Sequence, residues 1–169
     1  MNLKDRNIPP SFISNPSSWN KRLPLLLLAV AGFLIAFYLG LYQLHVFSNV
    51  WEPFFGNGTK KILTSSVSRS LAVPDGLLGA FAYLCDIVLV SIGNYIRWKT
   101  KPWVVILYSV VVGLMVLVSV FLVILQAFIL DSWCTLCLTS AAISFSMIWP
   151  VSMEAVATVH FLQDQKEKR

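Results

Sequence analysis

The run from Trp103 to Leu130 constrains this chain more than any other feature, because it reads WVVILYSVVVGLMVLVSVFLVILQAFIL and holds no charged residue. About 18 or more apolar residues are enough to cross the hydrocarbon region of a membrane as a helix. Leu23 to Leu44 and Trp133 to about Val156 are similarly apolar, and Gly76 to Ile96 is long enough although it carries Asp86. The sequence predicts an all-α integral membrane protein built as a bundle of four transmembrane helices.

Composition supports this prediction. Charged residues make up 12% of the chain, about half the usual fraction of a soluble domain, and the mean hydropathy is +0.72. The first apolar run is too long for the apolar core of a secretion signal, and no small-residue cleavage site follows it. We therefore expect it to be retained as the first helix.

The distribution of basic residues predicts the orientation. One side would carry the N-terminus, the link between the second and third spans and the C-terminus, with Lys4, Arg6, Lys21, Arg22, Arg97, Lys99, Lys101, Lys166, Lys168 and Arg169. The other side would carry only Lys60, Lys61 and Arg69. Both termini are expected in the cytoplasm, with the loop 45–75 and the CxxC motif on the outer face of a membrane, most simply the bacterial inner membrane. Anionic lipid explains the net charge of +5 without nucleic acid.

Three segments follow from this topology: a cytoplasmic arm over 1–22, a membrane domain over 23–160 and a basic cytoplasmic tail over 161–169. In the outer loop 45–75, apolar residues recur at roughly helical spacing from Lys60, at Ile62, Leu63, Val67 and Leu71. This pattern predicts a short amphipathic half-helix over the outer ends of the spans. Asp75 suits the N-cap of the second span.

The motif CTLC at 134–137 opens the last apolar run. Residues i and i+3 share one face of a helix, so Cys134 and Cys137 can approach each other. With Asp131 as the N-cap, Cys134 would lie in the first turn, where free N–H groups and the helix dipole stabilise a thiolate. The pattern favours a redox-active pair. The negative charge of Asp131 would act in the opposite direction, because it would raise the pKa of a nearby thiol.

Metal binding and simple apolar packing are the other interpretations of the cysteines, and only the second remains open at this stage. A zinc site needs about four ligands, and the chain adds only Cys85, near mid-membrane, and one outer histidine, His45. Covalent haem attachment needs a histidine where Leu138 stands, so no metal site is expected. The cysteines can also be unrelated small apolar side chains.

Two stretches, KKILTSSVSRSLAVPDGLLGAFAYL at 60–84 and DSWCTLCLTSAAISFSMIW at 131–149, resemble the vitamin K epoxide reductase family. The resemblance implies a four-helix core, an outer half-helix and a CxxC that faces a quinone of ubiquinone, menaquinone or vitamin K type. It implies that Cys134 is the relay thiol and Cys137 the thiol next to the quinone. It further implies that Ser65 or Ser66 matches a loop serine of the quinone site.

The chain departs from the family at several of these positions. Asp75 stands where the resemblance expects a quinone-contacting Asn, and Ala141 where it expects a Tyr. The outer loop 45–75 holds no cysteine, although the resemblance expects a pair, the second near Gly58 or Thr59. The chain thus resembles a bacterial-type homologue without the outer-loop pair. Gln126, on the outer third of the third span, is a further candidate for lining a pocket.

Two functions remain open, and whether the chain is an enzyme depends on which applies. A separate thioredoxin-fold protein could exchange directly with Cys134, making the chain a quinone-linked thiol-disulfide oxidoreductase. Alternatively the chain is a non-catalytic structural or assembly subunit that packs against other subunits of a membrane complex.

Two acidic residues in the predicted spans need an explanation. Asp86 lies deep in the second span, where an acid is either a functional group, such as a proton acceptor, or a neutral side chain bonded to Ser109, Ser119 or Ser144. Glu154 is expected at the cytoplasmic interface with no special role.

Overall fold

The structure is a computed structural model that describes residues 8–9, 12, 14–56, 58–63 and 74–168. Within these ranges every regular element is an α-helix, which confirms the all-α prediction for the described residues. The helices are α1 Trp19–Gln43, α2 Gly58–Leu63, α3 Asp75–Ser91, α4 Arg97–Thr100, α5 Pro102–Phe128 and α6 Thr135–Glu167.

The four longest helices pack around a common core. α1 lies mainly against α3, and α5 against α6, while contacts of α1 with α6 and of α3 with α5 close the ring. The core is made of apolar side chains such as Ala29, Tyr83, Val104 and Met147. Many equally apolar side chains point outward, including Leu117 at 67% exposure, so the helices are apolar on all sides as lipid contact requires.

Among the residues that the structure describes, three helices are long and apolar enough to cross a membrane: α1, α5 and α6, with mean hydropathies of 2.4, 2.8 and 1.5. They fit a multi-pass membrane protein in contact with lipid. The fourth predicted span corresponds to α3, which has 17 residues and falls just short of the usual length of about 20. The four-span count therefore stays a prediction, as does the orientation in the membrane.

The bounds of the helices differ from the predicted ones in three places. α1 begins at Trp19 and so includes Arg22, and α3 ends at Ser91 rather than near Ile96. Gly93 follows with a φ of +96°, a conformation that stops a helix and favours glycine. α6 continues to Glu167, so most of the predicted tail 161–169 is the last part of a helix.

The outer-loop helix is described only over α2. In α2, Ile62 and Leu63 are buried, and Lys60 and Lys61 are exposed. Val67 and Leu71, together with the predicted site residues Ser65 and Ser66, lie outside the described residues. The remainder of the predicted half-helix stays a prediction.

The start of α3 lies directly against the end of α1. A Cβ added to Gly76 would come within 2.5 Å of the backbone N of Gly40, so only glycine allows this approach of the two backbones. The N-cap position of α3 is occupied by Pro74, and Asp75 is the first helical residue. The prediction that Asp75 is the N-cap was wrong by one position, because the fixed φ of Pro74 already turns the chain into the helix.

Far from the cysteines, at the end of the bundle that we call the ion-pair end, Arg97 and Glu154 are 0% and 1% exposed. Arg97 Nε lies 2.6 Å from Glu154 Oε1, and its Nη2 lies 2.5 Å from Oε2. Ser17 Oγ donates to the same carboxylate. The expectation that Glu154 has no special role was wrong, because its helical position brings it under α4 rather than to the surface.

Candidate functional site

Cys134 is itself the N-cap of α6. Its φ and ψ are −116° and 114°, and its Sγ accepts a hydrogen bond from the backbone N–H of Cys137 at 3.1 Å. Asp131 lies outside the helix with a φ of +43°. The prediction that Asp131 is the N-cap was therefore wrong: the sulfur of Cys134 takes the role that a Ser or Asp side chain usually fills.

Cys134 and Cys137 form a disulfide with a Cα–Cα distance of 5.2 Å. This pairing follows from their i and i+3 positions at the first turn of α6. The third cysteine, Cys85, is free. Cys134 is completely buried, whereas Cys137 is partly exposed, so the two sulfurs of the pair differ in how easily a reactant can reach them.

The outer loop covers Cys134. Its side chain packs in a cluster with Leu39, Tyr42, Ile62, Leu63 and Leu136. Gly58 lies so close to the carbonyl oxygen of Trp133 that an added Cβ would collide with it. The first turn of α2 thus rests on the residue before Cys134, and a protein-sized reactant reaches this sulfur only if the loop moves away.

Glu52 connects this loop to the CxxC motif. Its carboxylate accepts hydrogen bonds from the backbone N–H of Thr135 at 3.2 Å and from the hydroxyls of Thr135 and Thr59. Partial burial raises the pKa of Glu52, but the hydrogen bonds from Thr135, Thr59 and Phe54 outweigh it and hold the pKa below its ordinary value. A charged carboxylate is therefore held at the N-terminus of α6 by Thr135, which lies between the two cysteines in sequence.

Gln126 contacts the site through the backbone. Its Oε1 accepts from the N–H of Cys134 at 3.2 Å, and the side chain is 2% exposed. The prediction that Gln126 lines a pocket stays a prediction; the structure places it near the end of α5. In this arrangement its amide fixes the backbone of the first cysteine.

The other predicted site residues are distributed around the neighbouring helix ends. Asp75 Oδ1 accepts from Gln43 Nε2 and from the N–H of Gly76 at 3.0 Å, which ties the start of α3 to the end of α1. Ala141 is buried on α6, one turn after Cys137.

Tyr83 is a residue that sequence reasoning missed. Its hydroxyl donates to the carbonyl oxygen of Ser140 at 2.8 Å and shares a hydrogen bond with Ser144 Oγ at 2.9 Å. A tyrosine hydroxyl thus reaches the turn of α6 that holds Ala141, but it comes from α3. The only signal in the sequence is that a buried tyrosine needs a partner for its hydroxyl.

Asp86 is completely buried, and neither of its carboxyl oxygens has a hydrogen-bond partner among the described residues. The interpretation of Asp86 as bonded to a serine was wrong. Ser144 is bonded to Tyr83, and Ser109 Oγ donates to the carbonyl of Val105. The hydroxyl of Tyr108 is likewise buried and has no hydrogen-bond partner among the described residues.

A family model described as the vitamin K epoxide reductase family matches residues 23–152, most of the chain. The chain belongs to the vitamin K epoxide reductase family. The match covers both the disulfide and the outer loop, and membership indicates a membrane thiol-disulfide oxidoreductase. Members of this family generally use quinones and generally pair with thioredoxin-like proteins. A search among curated proteins gives no match to the chain.

Proposed function

We propose that this member of the vitamin K epoxide reductase family is a quinone-linked thiol-disulfide oxidoreductase in which Cys134 and Cys137 are the reacting residues. The observation that carries the proposal is the Cys134–Cys137 disulfide at the first turn of α6, within the span that matches the family. A disulfide at a helix N-terminus suits reversible reduction, because the free N–H groups there stabilise the thiolate released when it opens. A purely structural cross-link would close a loop of only a few residues and contribute little to stability.

The residues below the disulfide fit a quinone. Ser140, Ala141 and Ser144 follow Cys137 on α6 at spacings that keep them near its face. The hydroxyls of Tyr83 and Ser140, which are bonded to each other and to α6 in this structure, would donate to a quinone oxygen after exchanging these partners, and the small side chain of Ala141 occupies little volume. The carboxylate of Asp75 can accept a proton or a hydroxyl hydrogen bond but cannot donate while it is charged. A bound quinone would supply an acceptor for two electrons and two protons.

In the reductive half of the reaction, a thioredoxin-fold dithiol is proposed to attack the sulfur of Cys134. The attack forms a mixed disulfide and releases Cys137 as a thiolate. The second thiol of the partner then breaks the mixed disulfide, so that the partner leaves oxidised and Cys134 and Cys137 are both reduced. Since α2 covers Cys134, this step requires the loop around Glu52 and Gly58 to move away first.

In the oxidative half, Cys137 would pass the electron pair to a quinone bound next to it as the Cys134–Cys137 bond forms again. Two electrons and two protons leave the dithiol in this step. The proposed carriers of the protons are Asp75 at the start of α3 and Tyr83 at its middle. Gln126 is proposed to keep the backbone of Cys134 in place throughout. Ser65 and Ser66 are proposed to line the same site from the outer loop.

The proposed topology places α3 across the membrane as a fourth span beside α1, α5 and α6. Its 17 residues extend about 26 Å at 1.5 Å per residue, which is close to the hydrocarbon thickness. Both termini would be cytoplasmic and the disulfide on the outer face of a bacterial inner membrane, where thiol-disulfide exchange is permitted.

The decisive experiment is thiol trapping of the purified full-length protein. The pair is reduced with dithiothreitol, the reductant is removed, and the fraction of oxidised pair is followed with and without added ubiquinone or menaquinone. Rapid oxidation that depends on the quinone is expected, and it should be lost in Cys137→Ser. Tyr83→Phe should slow the quinone-dependent step and leave the equilibrium of the pair with dithiothreitol unchanged.

A pair whose redox state is the same whichever quinone is offered would overturn the proposal. That outcome, combined with copurification of a fixed set of membrane proteins, would favour a non-catalytic subunit of a membrane complex. Cys85→Ser is the matched control, since this free cysteine has no role in the proposed exchange, and its substitution should leave quinone-dependent oxidation unchanged.

A further inference from the structure

Glu52 makes contacts that a solvent-facing loop carboxylate does not need. It is only partly exposed and accepts from both the N–H and the hydroxyl of Thr135, the residue that follows Cys134. A second hydroxyl, from Thr59 at the start of α2, donates to Glu52 Oε2, the oxygen that also accepts from the N–H of Thr135. One negative charge therefore holds the loop, the first turn of α2 and the start of α6 together.

The place of this charge matters for the cysteines. The N–H of Cys137 already points at the sulfur of Cys134 at 3.1 Å, and free N–H groups at a helix N-terminus stabilise a thiolate. Glu52 takes the N–H of Thr135 and adds its own negative charge at a residue that lies between the two cysteines in sequence. Both effects disfavour the thiolate and hence the reduced pair.

The other charged side chains that the structure describes at this end lie at exposed positions or at the ends of neighbouring helices. The described residues place Lys60 and Lys61 on α2 and Asp131 in the turn before α6, and all three are exposed to solvent, where screening weakens their effect. His45 and Asp75 lie at the ends of α1 and α3. Glu52 is the charged side chain that the structure bonds directly to the motif.

We propose that Glu52 is a positioning residue that sets the redox poise of the Cys134–Cys137 pair, making the dithiol a stronger reductant by opposing its thiolate form. The inference rests on the proposed function, in which a strongly reducing dithiol favours transfer of its electrons to a quinone. The balanced half-reaction is the release of two electrons and two protons from the two thiols as the S–S bond forms. Removing the charge stabilises the reduced side and makes the pair more oxidising.

The test compares Glu52→Gln with Thr135→Val in the full-length protein. Glutamine keeps an oxygen that can accept from Thr135 and Thr59 but removes the charge. Valine keeps the charge and the backbone N–H bond but removes the Thr135 hydroxyl. The equilibrium between the pair and dithiothreitol is measured by thiol trapping at pH 6.5, 7.5 and 8.5, with no quinone present.

Glu52→Gln is expected to shift this equilibrium toward the dithiol by about two- to fivefold, the effect of one partly exposed charge. The shift should grow with pH, because the thiolate becomes populated only as the pH approaches the thiol pKa of about 8.5. It should shrink at high salt, which screens the charge. Thr135→Val should give no shift that grows with pH.

Equal shifts in the two variants, or a Glu52→Gln shift that is the same at every pH, would reduce Glu52 to a mechanical link and overturn the inference. If Glu52→Gln does not fold, the salt dependence of the wild-type equilibrium at pH 8.5 tests the same point, since a poise set by charge must weaken from low to high salt. Because these measurements use no quinone, their failure is distinguishable from a failure of the proposed quinone-linked reaction.

Discussion

The two ends of the bundle are each held by a carboxylate, but in opposite ways. At the disulfide end, Glu52 is partly exposed and binds the neutral donors of Thr135 and Thr59. At the ion-pair end, Glu154 is 1% exposed and binds the guanidinium of Arg97. Bonds from partly exposed neutral groups open at low cost, whereas a buried ion pair resists opening.

The ion-pair end also closes one helix. Arg97 Nη1 donates to the carbonyl oxygens of Leu89 and Val90 at 2.9 and 3.2 Å. Arg22 Nη1 donates to the carbonyl oxygen of Gly93 at 2.9 Å. Two cations thus satisfy the free carbonyls at the negative end of the α3 dipole. The contacts at the ion-pair end are therefore harder to break than those at the disulfide end, where exchange with a partner is proposed.

The largest expected effect comes from breaking the locked end. Arg97→Met leaves Glu154 buried without its cation and frees the carbonyls of α3, so the free energy of unfolding should fall by about 3–5 kcal/mol. Denaturant unfolding in detergent micelles measures the loss. Lys168→Met is the matched control, because its ion pair with Asp164 is exposed and should contribute only about 0.3–0.5 kcal/mol. Similar losses in the two variants would refute the contrast between the ends.

The next effect concerns the cover over the disulfide. In Gly58→Ala the new methyl group collides with the carbonyl of Trp133, which should push α2 off the motif at a cost of about 1–3 kcal/mol. After reduction, Cys134 should therefore react faster with a bulky alkylating reagent. Gly113→Ala is the control, since nothing lies within 4 Å of its added Cβ. An unchanged alkylation rate in Gly58→Ala would show that the loop does not cover this sulfur.

Asp86 is a third carboxyl group to compare with Glu52 and Glu154, since it is buried but has no hydrogen-bond partner among the described residues. A buried polar group without a hydrogen bond costs about 1–3 kcal/mol. Asp86→Leu should therefore raise the thermal midpoint, corresponding to about 1 kcal/mol of added stability. Ser144→Ala, which removes a satisfied bond to Tyr83, should lower it by a comparable amount. A midpoint that falls in Asp86→Leu would mean that this carboxylate is stabilised in a way the contacts do not explain.

The smallest effect is the pH dependence of the Glu52 contacts. The folded-state pKa of Glu52 lies below its ordinary value, so its contribution to stability is present above the ordinary value of about 4.3. The contribution is lost as the pH falls through the lowered pKa. The difference in thermal midpoint between wild type and Glu52→Gln should be constant from pH 7 to about 5 and shrink below about 4. A difference in thermal midpoint that is as large at pH 3 as at pH 7 would show that Glu52 contributes no stability through its charge.

Much of the local structure could be predicted from the sequence, because it depends on short-range patterns. Apolar runs of the length of α1 and α5 have to be helical in lipid, since a backbone there must satisfy its own hydrogen bonds. The i and i+3 spacing of Cys134 and Cys137 predicted that they can pair, and the motifs at 60–84 and 131–149 predicted the family. The N-cap prediction at Asp131 was wrong because the sulfur of Cys134 takes that role.

Only the tertiary structure could decide which charges and hydroxyls meet. Glu52 and Thr135 are 83 residues apart, and Ser17 and Glu154 are 137 apart, so no local pattern connects them. From the sequence, Arg97 and Glu154 are charged residues near the ends of predicted spans. Their positions in the sequence are compatible both with exposure to solvent and with a buried ion pair. The packing of α4 against α6 selects the buried pair, and the packing of α2 against α6 covers Cys134. By itself the sequence determined the long apolar helices and the spacing that lets Cys134 and Cys137 form a disulfide, because these depend on neighbouring residues. The closed end, the cover and the charge beside the disulfide were decided by contacts between segments far apart in the chain.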